Sequence, residues 1–262
     1  MKISTENIKR VVVKIGTSTL THSSGYINIR KIHKLVSILA DLHNSGIQIV
    51  FVSSGAVSCG LAKTDFDRAT LTTEQKQAAA AIGQCELIDM YARSFADYGA
   101  TIAQLLLTRS VIDDKELRAH ASTTLELLIG QGVIPIVNEN DTISNEQIKI
   151  GSNDTLAATV ARLCSADLLI NMSDIDGLYD SDPRSNPDAK FIEYVPVVSD
   201  DIYSYGEGAG TARGTGGMAT KLESAKYVTE RGIPMIIVNG ADPSILYDIF
   251  DGEFKGTYFA AQ

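Results

Sequence analysis

Ile8-Lys-Arg-Val-Val-Val-Lys-Ile-Gly16 is a β-branched run with a single lysine, Lys14, close to its end. Such a run, stopped by glycine, predicts a strand ending at residue 15. Lys14 interrupts the apolar pattern just before the stop. An edge-strand lysine that snorkels to water would explain it, but a charge at the carboxyl end of a first strand is also where α/β sheets gather ligand contacts. Gly16-Thr-Ser-Thr19 follows as a small polar turn.

Working outward, apolar residues at 29, 32, 35, 36, 39 and 42 predict a helix over 28–44, with Asn28 as N-cap and Gly46 as stop. A second strand over 47–52 runs into Ser53-Ser54-Gly55-Ala56. An alanine-rich helix over 74–98 closes at Gly99, and a strand covers 101–107. A helix over 117–131 precedes a strand over 133–138, after which comes Glu139-Asn140-Asp141. Residues 148–150 read as a short hairpin arm. Gly151-Ser152-Asn153-Asp154 opens a helix over 155–163. A strand over 167–172 ends in Ser173-Asp174. A helix over 218–231 and a strand over 233–238 complete the series. This alternation predicts an α/β fold, a three-layer α/β/α sandwich with a mostly parallel central sheet. Residues 180–188, rich in Asp, Ser and Pro, read as a surface excursion. With no clear boundary, 1–262 is expected to form one domain.

Composition narrows the function. The chain has 262 residues, 44% of them hydrophobic, and a net charge of −9. That acidity argues against nucleic-acid binding. No apolar run reaches the length of a membrane span. Cys59, Cys85 and Cys164 are scattered and odd in number, which fits reduced thiols in a cytoplasm. His22, His33, His43 and His120 form no ligand pair, so no protein-held metal site is expected.

Residues 206–221 hold six glycines and end in Gly216-Gly217-Met218-Ala219-Thr220-Lys221. Glycines let backbone approach an anion closely, and a helix follows them. The Gly-Lys-Ser/Thr ending of a Walker loop is missing. Two lysines, Lys14 and Lys221, with N–H groups expected from Gly16, Gly55, Gly216 and Gly217, suit phosphoryl transfer. Magnesium would arrive on the nucleotide phosphates. No general base stands out. A carboxylate acceptor needs none, since it is ionised at pH 7. The Asn138, Asp141, Asn153 and Asp154 set suits the α-ammonium of such an acceptor. Arg109 and Arg118 read as structural ion-pair formers.

The chain resembles the glutamate 5-kinases of the amino acid kinase superfamily. The matching motifs are Val12-Val-Lys-Ile-Gly-Thr-Ser18, Val52-Ser-Ser-Gly-Ala56, Gln104-Leu-Leu-Leu-Thr-Arg109, Val137-Asn-Glu-Asn-Asp141, Lys149-Ile-Gly-Ser-Asn-Asp154, Gly177-Leu-Tyr-Asp-Ser-Asp-Pro-Arg-Ser-Asn-Pro187 and Gly214-Thr-Gly-Gly-Met-Ala-Thr-Lys221. They run in family order over almost the whole length. The resemblance implies an amino acid kinase fold and the reaction of ATP with L-glutamate, giving ADP and L-glutamyl 5-phosphate for proline synthesis. It implies that Lys14 and Lys221 flank the transferred group and that Asp154 orients them. It implies that Ser54, Gly55, Asn138, Asp141 and Asn153 bind glutamate. The nucleotide would meet Lys14, Gly16, Ser173, Asp174, Thr215, Gly216, Gly217, Met218, Ala219, Thr220 and Lys221. A homo-oligomer, dimer or tetramer, with proline as feedback inhibitor is implied as well. Many family members carry an added C-terminal domain of the PUA type, whereas this chain stops at Gln262. Ser152 stands where the family often has an acidic residue. A non-catalytic amino-acid sensor on the same fold is the competing class, and retention of both lysines argues against it.

Overall fold

A computed structural model describes residues 3–22, 24, 26–144, 150–206 and 217–262. The first half of the chain gives β1 (Arg10–Ile15), α1 (Thr17–Leu20), α2 (Ile29–Asn44), β2 (Gln48–Val52), α3 (Ala56–Leu61) and α4 (Thr73–Ala96). It continues through β3 (Ile102–Leu107), α5 (Ser110–Asp113), α6 (Lys115–Gly130) and β4 (Ile134–Glu139). The second half gives α7 (Asn153–Leu163), β5 (Leu168–Ser173), β6 (Leu178–Tyr179), β7 (Phe191–Ile192), β8 (Tyr194–Val195) and α8 (Asp200–Ser204). It closes with α9 (Met218–Thr229), β9 (Met235–Asn239), α10 (Ile245–Phe250) and β10 (Thr257–Phe259).

The main sheet runs β3-β4-β2-β1-β5-β9-β10-β8. Its first six strands are parallel, while β10 pairs antiparallel to β9 and parallel to β8. Strand alternation splits the core. Val12, Val137, Leu169 and Ile237 face α6, α7 and α9, while Val13, Phe51, Ile170 and Val238 face α2, α4 and α10. The expected α/β/α sandwich is therefore present. Local signals set the helix starts. Asn28 accepts from the Lys31 N–H, Thr72 and Gln75 close a reciprocal capping box, and Asp114 accepts from two N–H groups. Gly46, Gly99 and Gly132 follow helix ends with positive φ.

Several short elements lack a sequence signal of their own. α1, α3, α5 and α8 span four to six residues, too few for a clear apolar period. β8 and β10 extend the sheet past the six expected strands, and β6 and β7 form a hairpin flanking the excursion. In the expected hairpin arm, 148 and 149 lie outside the described residues and Ile150 belongs to no strand. β1 is not an edge strand: Lys14 pairs in register with Val52 on one side and Asn171 on the other. Among the described residues no helix is long and apolar enough to cross a membrane.

Two glycines lock α3 onto α4. A Cβ on Gly60 would lie 1.7 Å from the Ala79 carbonyl oxygen, and one on Gly83 would lie 1.8 Å from that of Ala56. Backbone therefore meets backbone, with no side chain able to yield. Gly83→Ala is expected to destabilise the fold by about 3 kcal/mol or more. Gly130→Ala, at a helical site where a Cβ meets nothing within 4 Å, is expected to stabilise it by about 0.5–1 kcal/mol. Urea unfolding midpoints of the two variants check both signs.

Candidate active site

A cleft of about 390 Å³ opens beyond the carboxyl ends of β1, β2, β4 and β5. This is where parallel sheets place their ligands. Its floor is a buried triad. One Asp154 oxygen meets the Lys14 ammonium at 2.5 Å, and the other meets that of Lys221 at 3.0 Å. The three side chains are 7%, 1% and 6% exposed for Lys14, Asp154 and Lys221. Each oxygen also takes a neutral donor. The Asn171 amide donates at 2.9 Å to the oxygen that Lys14 holds, and the Thr220 hydroxyl at 3.2 Å to the oxygen that Lys221 holds.

The chain brings these groups together from four elements. Lys14 and Asn171 are paired residues on β1 and β5 and point to the α7 side of the sheet. Asp154 sits in the first turn of α7, whose N-cap is Ser152, with its hydroxyl accepting from the Thr155 N–H. Lys221 and Thr220 lie in the first turn of α9, and α9 packs beside α7.

A second network forms the opposite wall. The Asn153 amide donates to the Ser53 carbonyl at 2.8 Å, the Ser54 hydroxyl at 2.7 Å and the Asn138 oxygen at 3.2 Å. The Asn138 amide donates in turn to Gln84 on α4. Gly55 has φ 98°, a left-handed turn that L side chains resist, and this turn starts α3. Glu139 is buried and accepts from the Ser144 hydroxyl and the Ile150 N–H, tying the two sides of the intervening segment to β4.

Of the residues singled out from sequence, Lys14, Gly16, Ser54, Gly55, Asp141, Asn153, Asp154, Ser173, Asp174 and Lys221 line the cleft. Others stand elsewhere. Asn138 lies behind the wall, with its side chain used on Gln84 and Asn153. Met218 is in the apolar core, Ala219 abuts Gly206, and Thr220 reaches the site only through Asp154. Gly217 caps α9 at the edge of the described residues, and Thr215 and Gly216 lie outside them. The Gly16 N–H is not available to a phosphate, because it donates to the Met172 carbonyl at 3.3 Å. Asp174 is half exposed and paired with Arg184. Arg109 pairs with Asp113, and Arg118 donates to the Ile112 carbonyl. Sequence reasoning missed Thr17, Ser18, Ser58, Lys76 and Glu139 on the cleft wall. Thr17 and Ser18 had a signal, since they directly follow the Lys14 strand. Lys76 had none, being one of many polar residues on a long helix.

The family model described as "Amino acid kinase family" matches residues 9–239. The chain belongs to the amino acid kinase family. Similar curated proteins are called glutamate 5-kinase. That of Clostridium tetani is 48% identical and covers 98% of this chain and 96% of its own length. That of Clostridium perfringens is 46% identical and covers 100% and 99%. The Caldanaerobacter subterraneus protein is 50% identical over 95% of this chain and 67% of its own length. Among solved structures, UMP kinase from Ureaplasma parvum superposes with a TM-score of 0.66 at 17% identity, covering 97% of this chain and 99% of that one. An isopentenyl phosphate kinase from T. acidophilum gives 0.65 at 18% identity, covering 95% and 99%. At that identity the likeness is one of fold.

In this member of the amino acid kinase family, the electrostatics of the floor centre on Asp154. Burial alone would raise its pKa, but Lys14 and Lys221 outweigh burial and hold it well below the usual carboxylate range. Burial lowers the pKa of Lys14, and the Asp154 charge counters it. Asp154 thus stays ionised, and its depressed pKa contributes stability above the unfolded value of ~3.9 that is lost as pH falls further. Asp154→Asn removes the anion that the buried Lys14 and Lys221 ammonium groups share and is expected to cost about 3–5 kcal/mol at pH 7. Urea denaturation of both proteins between pH 7 and pH 3 is expected to show that gap shrinking below about pH 4.

Proposed function

We propose that the chain transfers the γ-phosphoryl group of ATP to the side-chain carboxylate of L-glutamate, yielding ADP and L-glutamyl 5-phosphate, the first step of proline biosynthesis. The observation that carries this reading is the pair of buried lysines held on separate oxygens of one carboxylate at the cleft floor. Each ammonium makes one hydrogen bond to Asp154, and an ammonium has three donors. Lys14 therefore has N–H groups for phosphoryl oxygens, and Lys221 lines the cleft beside it. A glutamate carboxylate oxygen attacks the γ-phosphorus, the bond to the β–γ bridging oxygen breaks, and ADP leaves with that electron pair. Lys14 and Lys221 stabilise charge on the transferred group and the leaving oxygen.

No proton has to be removed from the acceptor. Among the described residues no histidine lines the cleft. Asp154, held by both lysines and the Asn171 amide and kept well below the usual carboxylate pKa, is a poor base. Magnesium carried on the nucleotide phosphates would add positive charge there and keep its own waters. The described residues hold no group of three or more His, Cys, Asp or Glu arranged for a metal.

On this reading Ser54, Gly55, Asp141 and Asn153 meet glutamate, and Asn138 acts through Asn153. Gly16, Ser173, Asp174 and Lys221 bound the nucleotide side. Glu139 and Asp141 favour an acceptor with an ammonium over a phosphate monoester, which they would repel. Proline shares the amino and α-carboxyl groups of glutamate and would inhibit by taking the same subsite. We further propose that residues 1–262 act as one amino acid kinase domain and that the enzyme is cytoplasmic. A homo-oligomer fits the β3 edge of the sheet, where Leu106 is exposed.

The test is acyl phosphate capture. With ATP, magnesium, glutamate and hydroxylamine, the protein is expected to form glutamate-dependent hydroxamate; absence of product from folded protein would refute the proposal. Lys221→Ala is expected to lower kcat about 10²–10³-fold while glutamate KM stays within about threefold. Steady-state kinetics in the same assay check that split.

A further inference from the structure

The cleft has a charge pattern that Lys14, Lys221 and the amide network leave incomplete. Its floor is cationic, and Glu139 and Asp141 make another part of its wall acidic. One further cation lines it, Lys76. Lys76 is exposed and has no ion-pair partner among the described residues.

Its place is fixed by the fold. Lys76 lies in the first turn of α4, where the Thr72 and Gln75 capping box sets the helix start. The contact of Gly60 with the Ala79 carbonyl presses that part of α4 onto α3. Lys76 is three residues before Ala79, so it shares the helix face that meets α3. Ser58 and Leu61 of α3 line the same cleft. The lysine backbone is thus held rigidly while the ammonium remains free to meet a ligand.

The proposed glutamate substrate brings three charges. Its reacting carboxylate belongs with Lys14, Lys221 and the phosphoryl group. Its ammonium suits the acidic wall. Its α-carboxylate would stand against Glu139 and Asp141 unless a cation took it, and Lys76 is the remaining cation lining the cleft among the described residues. We propose that Lys76 binds the α-carboxylate of the amino-acid substrate and so selects acceptors that carry a second carboxylate. This rests on the reading of the site as a glutamate kinase.

Lys76→Met keeps the length of the side chain and removes its charge. It is expected to raise glutamate KM about 10–100-fold, the effect of losing one charge-assisted hydrogen bond. kcat, the KM for ATP and the urea midpoint are expected to stay within twofold. Lys76→Arg is expected to recover most of the loss. The decisive comparison uses L-glutamate 1-amide, whose α-carboxylate is neutralised. Wild type is expected to lose about 10–100-fold in kcat/KM on this analogue, and Lys76→Met to lose nothing more. A glutamate KM within twofold of wild type in Lys76→Met, or an equal loss on both substrates, overturns the assignment while leaving the kinase reading intact. If wild type forms no glutamate-dependent hydroxamate, the kinase reading falls and the assignment falls with it.

Discussion

One carboxylate organises this molecule. Asp154 is 1% exposed and holds two ammonium groups that are scarcely more exposed. Removing Asp154 takes away the anion that both ammonium groups share in a low-dielectric interior. The triad still carries one net positive charge, which a phosphoryl group would neutralise. Its location therefore constrains the surrounding elements. β1 must end where Lys14 can reach α7, and α9 must lie close enough to α7 for Lys221 to take the second oxygen. The core residues of α7 and α9, among them Leu156, Val160, Leu222 and Ala225, form the apolar seat that fixes that spacing.

The sheet topology supplies the opening above this floor. β1 stands between β2 and β5, so the chain travels to one side of β1 for β2, β3 and β4 and then crosses to the other for β5 and β9. Connections leave in opposite directions at such a point, and a crevice results. Ser54 after β2, Glu139 at the end of β4 and Ser173 at the end of β5 all stand on its rim. The two walls differ in character. The side of β2 and β4 is a mesh of amide hydrogen bonds through Asn153, Asn138 and Gln84, whereas the floor is ionic. Directional neutral bonds suit recognition of an amino acid's shape. Concentrated positive charge suits a migrating phosphoryl group.

The fold class was legible because β1, β2, β4, β5 and β9 are apolar runs ending in small polar residues, with strong helix periods between them. Lys14 was legible for a similar reason, as one charge in a run of valines. Distinctions of depth were not legible. Asn138 and Asn153 look equivalent as polar residues after or before an element, yet one lines the cleft and the other braces it from behind. Met218 sits within a glycine-rich motif, but helix geometry turns it into the core. The Gly16 N–H seemed suited to an anion, but strand pairing claims it for Met172. Each of these depends on which neighbour a group meets across the sheet, and local pattern carries no record of that.

Asn171 shows how far the demand of Asp154 reaches. It follows three apolar residues on β5 and is 1% exposed, where an apolar side chain would pack without penalty. Its amide hydrogens are drawn to the carboxylate, which leaves its own oxygen buried with no partner among the described residues. An orphaned acceptor of this kind costs on the order of 1–3 kcal/mol. Turning the amide round would satisfy nothing, since it would set an oxygen against a carboxylate. The geometry thus accepts one unmet neutral acceptor so that the central anion is fully met. That ordering follows from magnitude, because a hydrogen bond to an ionised group is about twice as strong as one between neutral groups.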